Sequence, residues 1–244
     1  MKKFGLVALA ISSVFMTGCG SLNNAAVEKN KSIELYRVFD IHTNAQRTVV
    51  TEAASDGLGR NVSSADEKNP IVMGQTPEKP GRFTPVDQMK SMPGPAGGMM
   101  GLAMQLGAAN AITNQLKVAQ CDGAVWTATA QKNVDNGFDM SFNLCLWKYK
   151  DGYALDVYAN YTKKEGGGFL GMDGLARKAA WALVGTPEEW AEKTVLDVVR
   201  SIKDKTGAEI KYLEGYPDLN NAPWSDSGEV FNEQGYLAPV VAPN

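Results

Sequence analysis

The chain has 244 residues, 44% of them hydrophobic, which suits one good-sized globular domain or two small ones. A formal net charge of −3 argues against nucleic acid as a partner, and the chain has no polybasic patch for a membrane surface. At the N-terminus, Lys2 and Lys3 precede an apolar run from Phe4 to Phe15, and the small residues Thr17 and Gly18 follow. That layout defines a secretory signal over residues 1–18. A run of about a dozen apolar residues is too short for a bilayer core of roughly 30 Å, which takes about 20.

The tetrad Met16-Thr17-Gly18-Cys19 resembles the lipobox of bacterial lipoproteins, with Met16 where the pattern usually carries Leu. The resemblance implies cleavage before Cys19, a lipid on its thiol, and a mature protein held at the membrane by several acyl chains, which anchor more firmly than one. An inner-membrane lipoprotein of the best-known sorting pattern has aspartate after the cysteine. Gly20 and Ser21 therefore imply the outer membrane, facing the periplasm, with the inner membrane as the alternative. The signal contains two lysines and no acid, so the chain from Cys19 onward carries −5. Residues 19–32 are small and polar and read as a flexible lipidated tether.

The α+β domain is expected over 33–214. Ile33 to Ile41 alternates as a strand, with Ile33, Leu35, Arg37, Phe39 and Ile41 on one side and Glu34, Tyr36, Val38 and Asp40 on the other. Thr43-Asn44 suits a helix N-cap, and Ala45, Val49, Val50, Ala53, Ala54 and Leu58 recur at helical spacing, so a helix is expected over 44–57. A strand at Thr48 to Thr51 is the alternative. Residues 59–95 are rich in Pro, Gly, Ser and Asn without a period and read as one long loop. Ala96 to Ile112 is apolar and small, with a Gly97-xxx-Gly101 spacing that permits close helix approach. It reads as a helix packed on the sheet or on a partner, with contact to the bilayer as the alternative.

Lys150-Asp151-Gly152-Tyr153 places Asp-Gly between two alternating runs, a strong hairpin signal. A turn on Asp-Gly sets Lys150 opposite Tyr153, Leu146 opposite Val157 and Phe142 opposite Tyr161. Asn133 to Gly137 supplies a second turn. With Cys19 assigned to lipid, Cys121 and Cys145 remain, and two spare cysteines in an exported chain suggest a disulfide. Setting Cys121 opposite Cys145 brings Met140 opposite Trp126 and Phe142 opposite Ala124, so every pair on that face is apolar. The result is an antiparallel β-meander. Its second face bears Asn143, Cys145, Trp147, Tyr149, Asp156, Tyr158 and Asn160, which suits either a covered layer or a surface that stacks on a glycan or peptide. Leu175 to Val184 reads as a helix. Thr186-Pro187-Glu188-Glu189 opens another with a capping box, and Gly207 ends it. These two helices are expected to cover the apolar face. Ile210 and Tyr212 mark a last short strand, and 215–244 is expected to be an extended tail docking through Trp224, Phe231 and Tyr236.

The motif search yields little chemistry. His42 is the single histidine and sits at a strand end, where a local structural role suffices. Gly166-Gly167-Gly168 lacks the Lys-Ser/Thr of a phosphate loop. Asp135 and Asp139 lack calcium-loop spacing. No catalytic residue, metal site or cofactor is assigned. The expected function is non-catalytic, binding a protein partner or peptidoglycan as an accessory of an envelope assembly. The alternatives are a periplasmic hydrolase using distant carboxylates, or a pore or secretion component using 96–112 at the bilayer. Replacing Cys19 with Ala is expected to release the protein from membranes into the soluble fraction. A variant that still sediments with membranes would show a second attachment.

Overall fold

The structure, a computed structural model, describes residues 29–87, 117–134, 138–165, 186–218, 230–232 and 234–237. Its elements in chain order are β1 (Lys29–His42), α1 (Arg47–Gly59), β2 (Ser64–Lys68), β3 (Thr84–Asp87), β4 (Lys117–Gln120), β5 (Trp126–Val134), β6 (Phe138–Tyr149), β7 (Gly152–Glu165), α2 (Pro187–Thr206) and β8 (Glu209–Tyr216). Six strands form one sheet in the order β2-β5-β6-β7-β1-β8, with every neighbouring pair antiparallel, and β3 pairs with β4 in a separate two-stranded ribbon. This antiparallel sheet with helices is an α+β architecture.

The period-two pattern of β1 decides which face meets the helices. Leu35, Phe39 and Ile41 point into the main core with Phe142, Leu144 and Leu146 of β6, Leu155 and Val157 of β7, Val50, Ala54 and Leu58 of α1, and Val195, Val198 and Val199 of α2. Arg37 falls in the same row and is fully buried. Its guanidinium forms a two-point pair with Glu192 of α2, Nε donating to Oε2 at 3.3 Å and Nη2 to Oε1. Nη1 donates to the carbonyls of Tyr36 at 2.9 Å and Pro217 at 2.6 Å. One side chain thus joins β1, α2 and the chain leaving β8.

Helix α2 begins as its sequence dictates. Thr186 accepts from the Glu189 amide, and the Glu189 carboxylate accepts from the Thr186 amide. Helix α1 packs directly on α2 through Gly57, where an added Cβ would lie 2.6 Å from Asp197 O and Val198 Cα. Beyond β8, Phe231 stacks on Phe39 with centroids 6.1 Å apart, and Leu237 is buried.

The structure corrects several expectations. β1 starts at Lys29, so ladder pairing to β7 takes up the end of the expected tether; backbone hydrogen bonds need no apolar pattern. α1 starts at Arg47 with Gln46 at its N-cap, while Thr43 instead accepts from the Ala45 amide. The stretch read as one loop from 59 to 95 contains β2 and β3. All five residues of β2 are exposed, because it is an edge strand held by its ladder to β5, so it shows no alternation. The β6–β7 turn is on Lys150-Asp151 with Tyr149 opposite Gly152, so Leu146 faces Leu155 rather than Val157. In the β5–β6 pair Trp126 faces Leu146, six positions from the expected register. Both displacements are even and leave each side chain on its expected face, so alternation could not detect them. α1 packs on the core face together with α2; the expected helix at 175–184, and 96–112, Gly166–Gly168 and Trp224, lie outside the described residues.

Arg37→Ala is expected to lower unfolding stability in urea by about 3–5 kcal/mol, because it takes the guanidinium away from the buried Glu192 carboxylate. Arg37→Met combined with Glu192→Leu is expected to recover most of that loss. An Arg37→Ala loss below about 1 kcal/mol would count against a structural role for the pair.

Candidate functional site

The sheet's second face is covered. Residues 77–87 and 117–123 lie across it as a flap. Asp156, fully buried on β7, accepts from the Phe83 amide at 3.1 Å and from Arg82 Nη1 at 3.3 Å. Arg82 also reaches Glu214 on β8 at 3.8 Å. Asn160 donates to the Lys117 carbonyl at 3.0 Å, and Lys117 pairs with Glu34. Phe83 inserts between Tyr36 and Tyr158, at centroid distances of 5.9 and 5.7 Å. Gly81 rests on the Trp147 indole so closely that any Cβ would overlap the ring, and Trp147 Nε1 donates to the Asp122 carbonyl at 2.9 Å.

Cys121 and Cys145 are disulfide-bonded, with Cα atoms 5.7 Å apart. They are not opposite one another in neighbouring strands as expected. Cys145 faces Thr127 in the ladder, and Cys121 lies before β5, in a turn closed by the Ala124 amide donating to the Cys121 carbonyl at 3.1 Å. The bond therefore pins the flap to β6. Cys19 lies outside the described residues.

Burial under the flap acts on the titrating groups. Desolvation pushes the Asp156 carboxyl up to about 6, against the lowering pull of the Phe83 amide and Arg82. Burial, and then the Asp40 carboxylate to which it donates, push the Tyr149 hydroxyl well above the usual phenol range. Asp40 accepts from Tyr149 at 2.5 Å and pairs with His42 Nε2 at 2.9 Å. Asp135 lies outside the described residues, and Glu189 is used in the helix cap. Among the described residues, no group of three His, Cys, Asp or Glu side chains could hold a metal ion, and no helix is long and apolar enough to cross a membrane.

Where the chain passes from β2 to the flap, it rounds the end of the sheet formed by the β6–β7 turn. Segment 69–81 is attached there by the Lys150 amide donating to the Pro77 carbonyl at 2.9 Å and by Arg47 Nη1 donating to the Pro70 carbonyl at 3.3 Å. Between the segment and the sheet lies a cleft of about 380 Å³. Val125 and Trp147 line its floor; Arg47, Lys79, Lys148 and Asp122 are the charged residues around it. At its lip the backbone presents Ile71, Val72 and Met73, which are 86%, 46% and 89% exposed. Three adjacent exposed aliphatic side chains, bracketed by Pro70 and the left-handed Gly74, form an apolar knuckle. Periodicity does not reveal it, because a knuckle within a loop has no period. The signal was present as an apolar triplet with no polar alternation inside a Pro/Gly loop.

No protein-family model matches the chain, and no curated protein matches it.

Asp156 yields a pH prediction. Its folded pKa of about 6 exceeds the ordinary 3.8, so the folded state holds the proton more tightly than the unfolded chain. The group opposes folding most above pH 6, and that cost is lifted as pH falls from about 6 towards 4. Asp156→Asn keeps an acceptor for the Phe83 amide and removes the titration. Between pH 7.5 and 5, wild type is expected to gain stability over Asp156→Asn by about 1–1.5 kcal/mol, read from paired denaturation curves. Parallel pH dependences would refute the assignment.

Proposed function

We propose that the chain is an envelope lipoprotein anchored through acylated Cys19, a single α+β domain on a flexible tether. In this reading it acts without catalysis, as an accessory that binds a protein partner. The outer membrane, facing the periplasm, is the proposed location, on the strength of the lipobox resemblance and of Gly20 and Ser21.

The observation that carries the binding reading is the exposed Ile71-Val72-Met73 knuckle. Its position supports the reading further. β1 begins at Lys29, ten residues after Cys19, and runs through 14 residues to His42, a span of about 45 Å. The knuckle and cleft belong to the His42 end, because Arg47 and Lys148 lie beside them and the β6–β7 turn pairs there with His42. An anchor at one end of the sheet and an apolar contact at the other suit a domain that reaches away from its membrane. A protein is favoured over peptidoglycan as the partner. The aromatic side chains that would stack on sugar rings, Trp147, Tyr149 and Tyr158, are 2%, 5% and 2% exposed beneath the flap, whereas the knuckle is aliphatic.

Site-specific photocrosslinking in intact cells tests this. A photoreactive residue at Met73 is expected to give a discrete crosslinked species that is absent when the same residue replaces Asp204 on the exposed face of α2. Indistinguishable patterns at the two positions would overturn the docking assignment.

A further inference from the structure

We infer that the cleft behind the knuckle binds an acidic, aliphatic stretch of a partner polypeptide, with Arg47, Lys79 and Lys148 receiving its carboxylates. This rests on the docking reading above and adds the chemistry of the segment that docks.

The charge of the cleft is opposite to that of the chain. The whole chain is acidic, at −3, yet among the described residues lining this cleft three are cations and one, Asp122, is a carboxylate. That carboxylate is engaged, accepting from Gln120 Nε2 at 2.9 and 3.0 Å. The cations keep donor capacity. Arg47 uses Nη1 on the Pro70 carbonyl, and Lys148 lies 4.3 Å from the Tyr153 ring centroid, a contact with the ring face that leaves an ammonium's three N–H donors available. Lys79 stands exposed on the loop. Arg47 is also the first residue of α1, whose N-cap side chain makes no capping bond and whose first turn holds no acid. The partial positive charge of that helix end adds to the side-chain charges.

Size and texture select the kind of anion. A volume of about 380 Å³ accommodates a few residues of extended chain, and the cleft opens directly onto the knuckle. Val72 at the lip, between the exposed Ile71 and Met73, favours aliphatic side chains between the carboxylates. A free inorganic anion would use the cations and ignore Ile71 and Met73. A polypeptide that alternates acidic and aliphatic residues uses both.

The test uses the purified lipoprotein in detergent micelles and a fluorescein-labelled dodecapeptide of alternating glutamate and leucine, read by anisotropy. Binding is expected to weaken at least tenfold when glutamine replaces the glutamates, and at least tenfold in an Arg47→Ala/Lys79→Ala/Lys148→Ala variant. Lys79→Ala alone, at an exposed position that cannot perturb folding, is expected to weaken it about threefold. Equal binding of the two peptides, unchanged binding by Lys79→Ala and the triple variant, or no binding of the glutamate peptide would overturn the inference. Displacement of the peptide by soluble dihexanoyl phosphatidylglycerol at equal concentration would also overturn it, in favour of a lipid headgroup. If the Met73 crosslink in cells survives in the triple variant, docking at the knuckle stands and the acidic segment does not.

Discussion

The flap depends on one buried carboxylate. Asp156 lies in the middle of a sheet face that no helix among the described residues covers, and a charge there is tolerable only with donors close by. The Phe83 amide and Arg82 are those donors, and both lie on the segment that must then cross the sheet. Once that crossing is fixed, Phe83 takes its place between Tyr36 and Tyr158, Gly81 comes down on Trp147, and the chain from β2 has to round the sheet end through Pro77. The cleft is the space left by that detour. Its geometry follows from how the second face is satisfied, and the disulfide to Cys145 holds the other margin of the same covering layer.

The two faces of the sheet are solved in different ways. On the helix side most of the buried side chains are apolar, and the buried cation Arg37 is matched by Glu192 and two carbonyls. On the flap side, polar and aromatic residues alternate and need backbone donors and acceptors, which an irregular segment supplies better than a helix whose amides and carbonyls are already used. Asn160 on the Lys117 carbonyl and Trp147 on the Asp122 carbonyl illustrate this. A helix laid on that face would have left them without partners.

What the sequence disclosed follows the range of each interaction. α2 was legible to its cap because the capping box is local. The faces of β1, β6 and β7 were legible because alternation records them, and Arg37 was placed correctly on the core side. The registers were not, since displacements of two and six leave alternation intact. β2 was invisible because an edge strand with Asp66, Glu67 and Lys68 exposed has no buried face to pattern. The disulfide was found from composition, but its structural meaning depended on a turn after β4 that no periodicity announces. The site stayed hidden for a related reason. Arg47, Lys79 and Lys148 come from a helix start, a loop and a strand end, and only the folded chain makes them neighbours.

The loop that carries the knuckle contains Pro70, Pro77 and Pro80 within thirteen residues and is hydrogen-bonded at two of them. Each proline fixes one backbone torsion before folding begins, so the segment samples fewer shapes than its length implies. Much of the ordering that a contact surface ordinarily undergoes on association has already taken place. A partner meeting Ile71 and Met73 would encounter a shape that is set in advance. Such a surface discriminates by fit and has little room to remould itself around an unrelated protein.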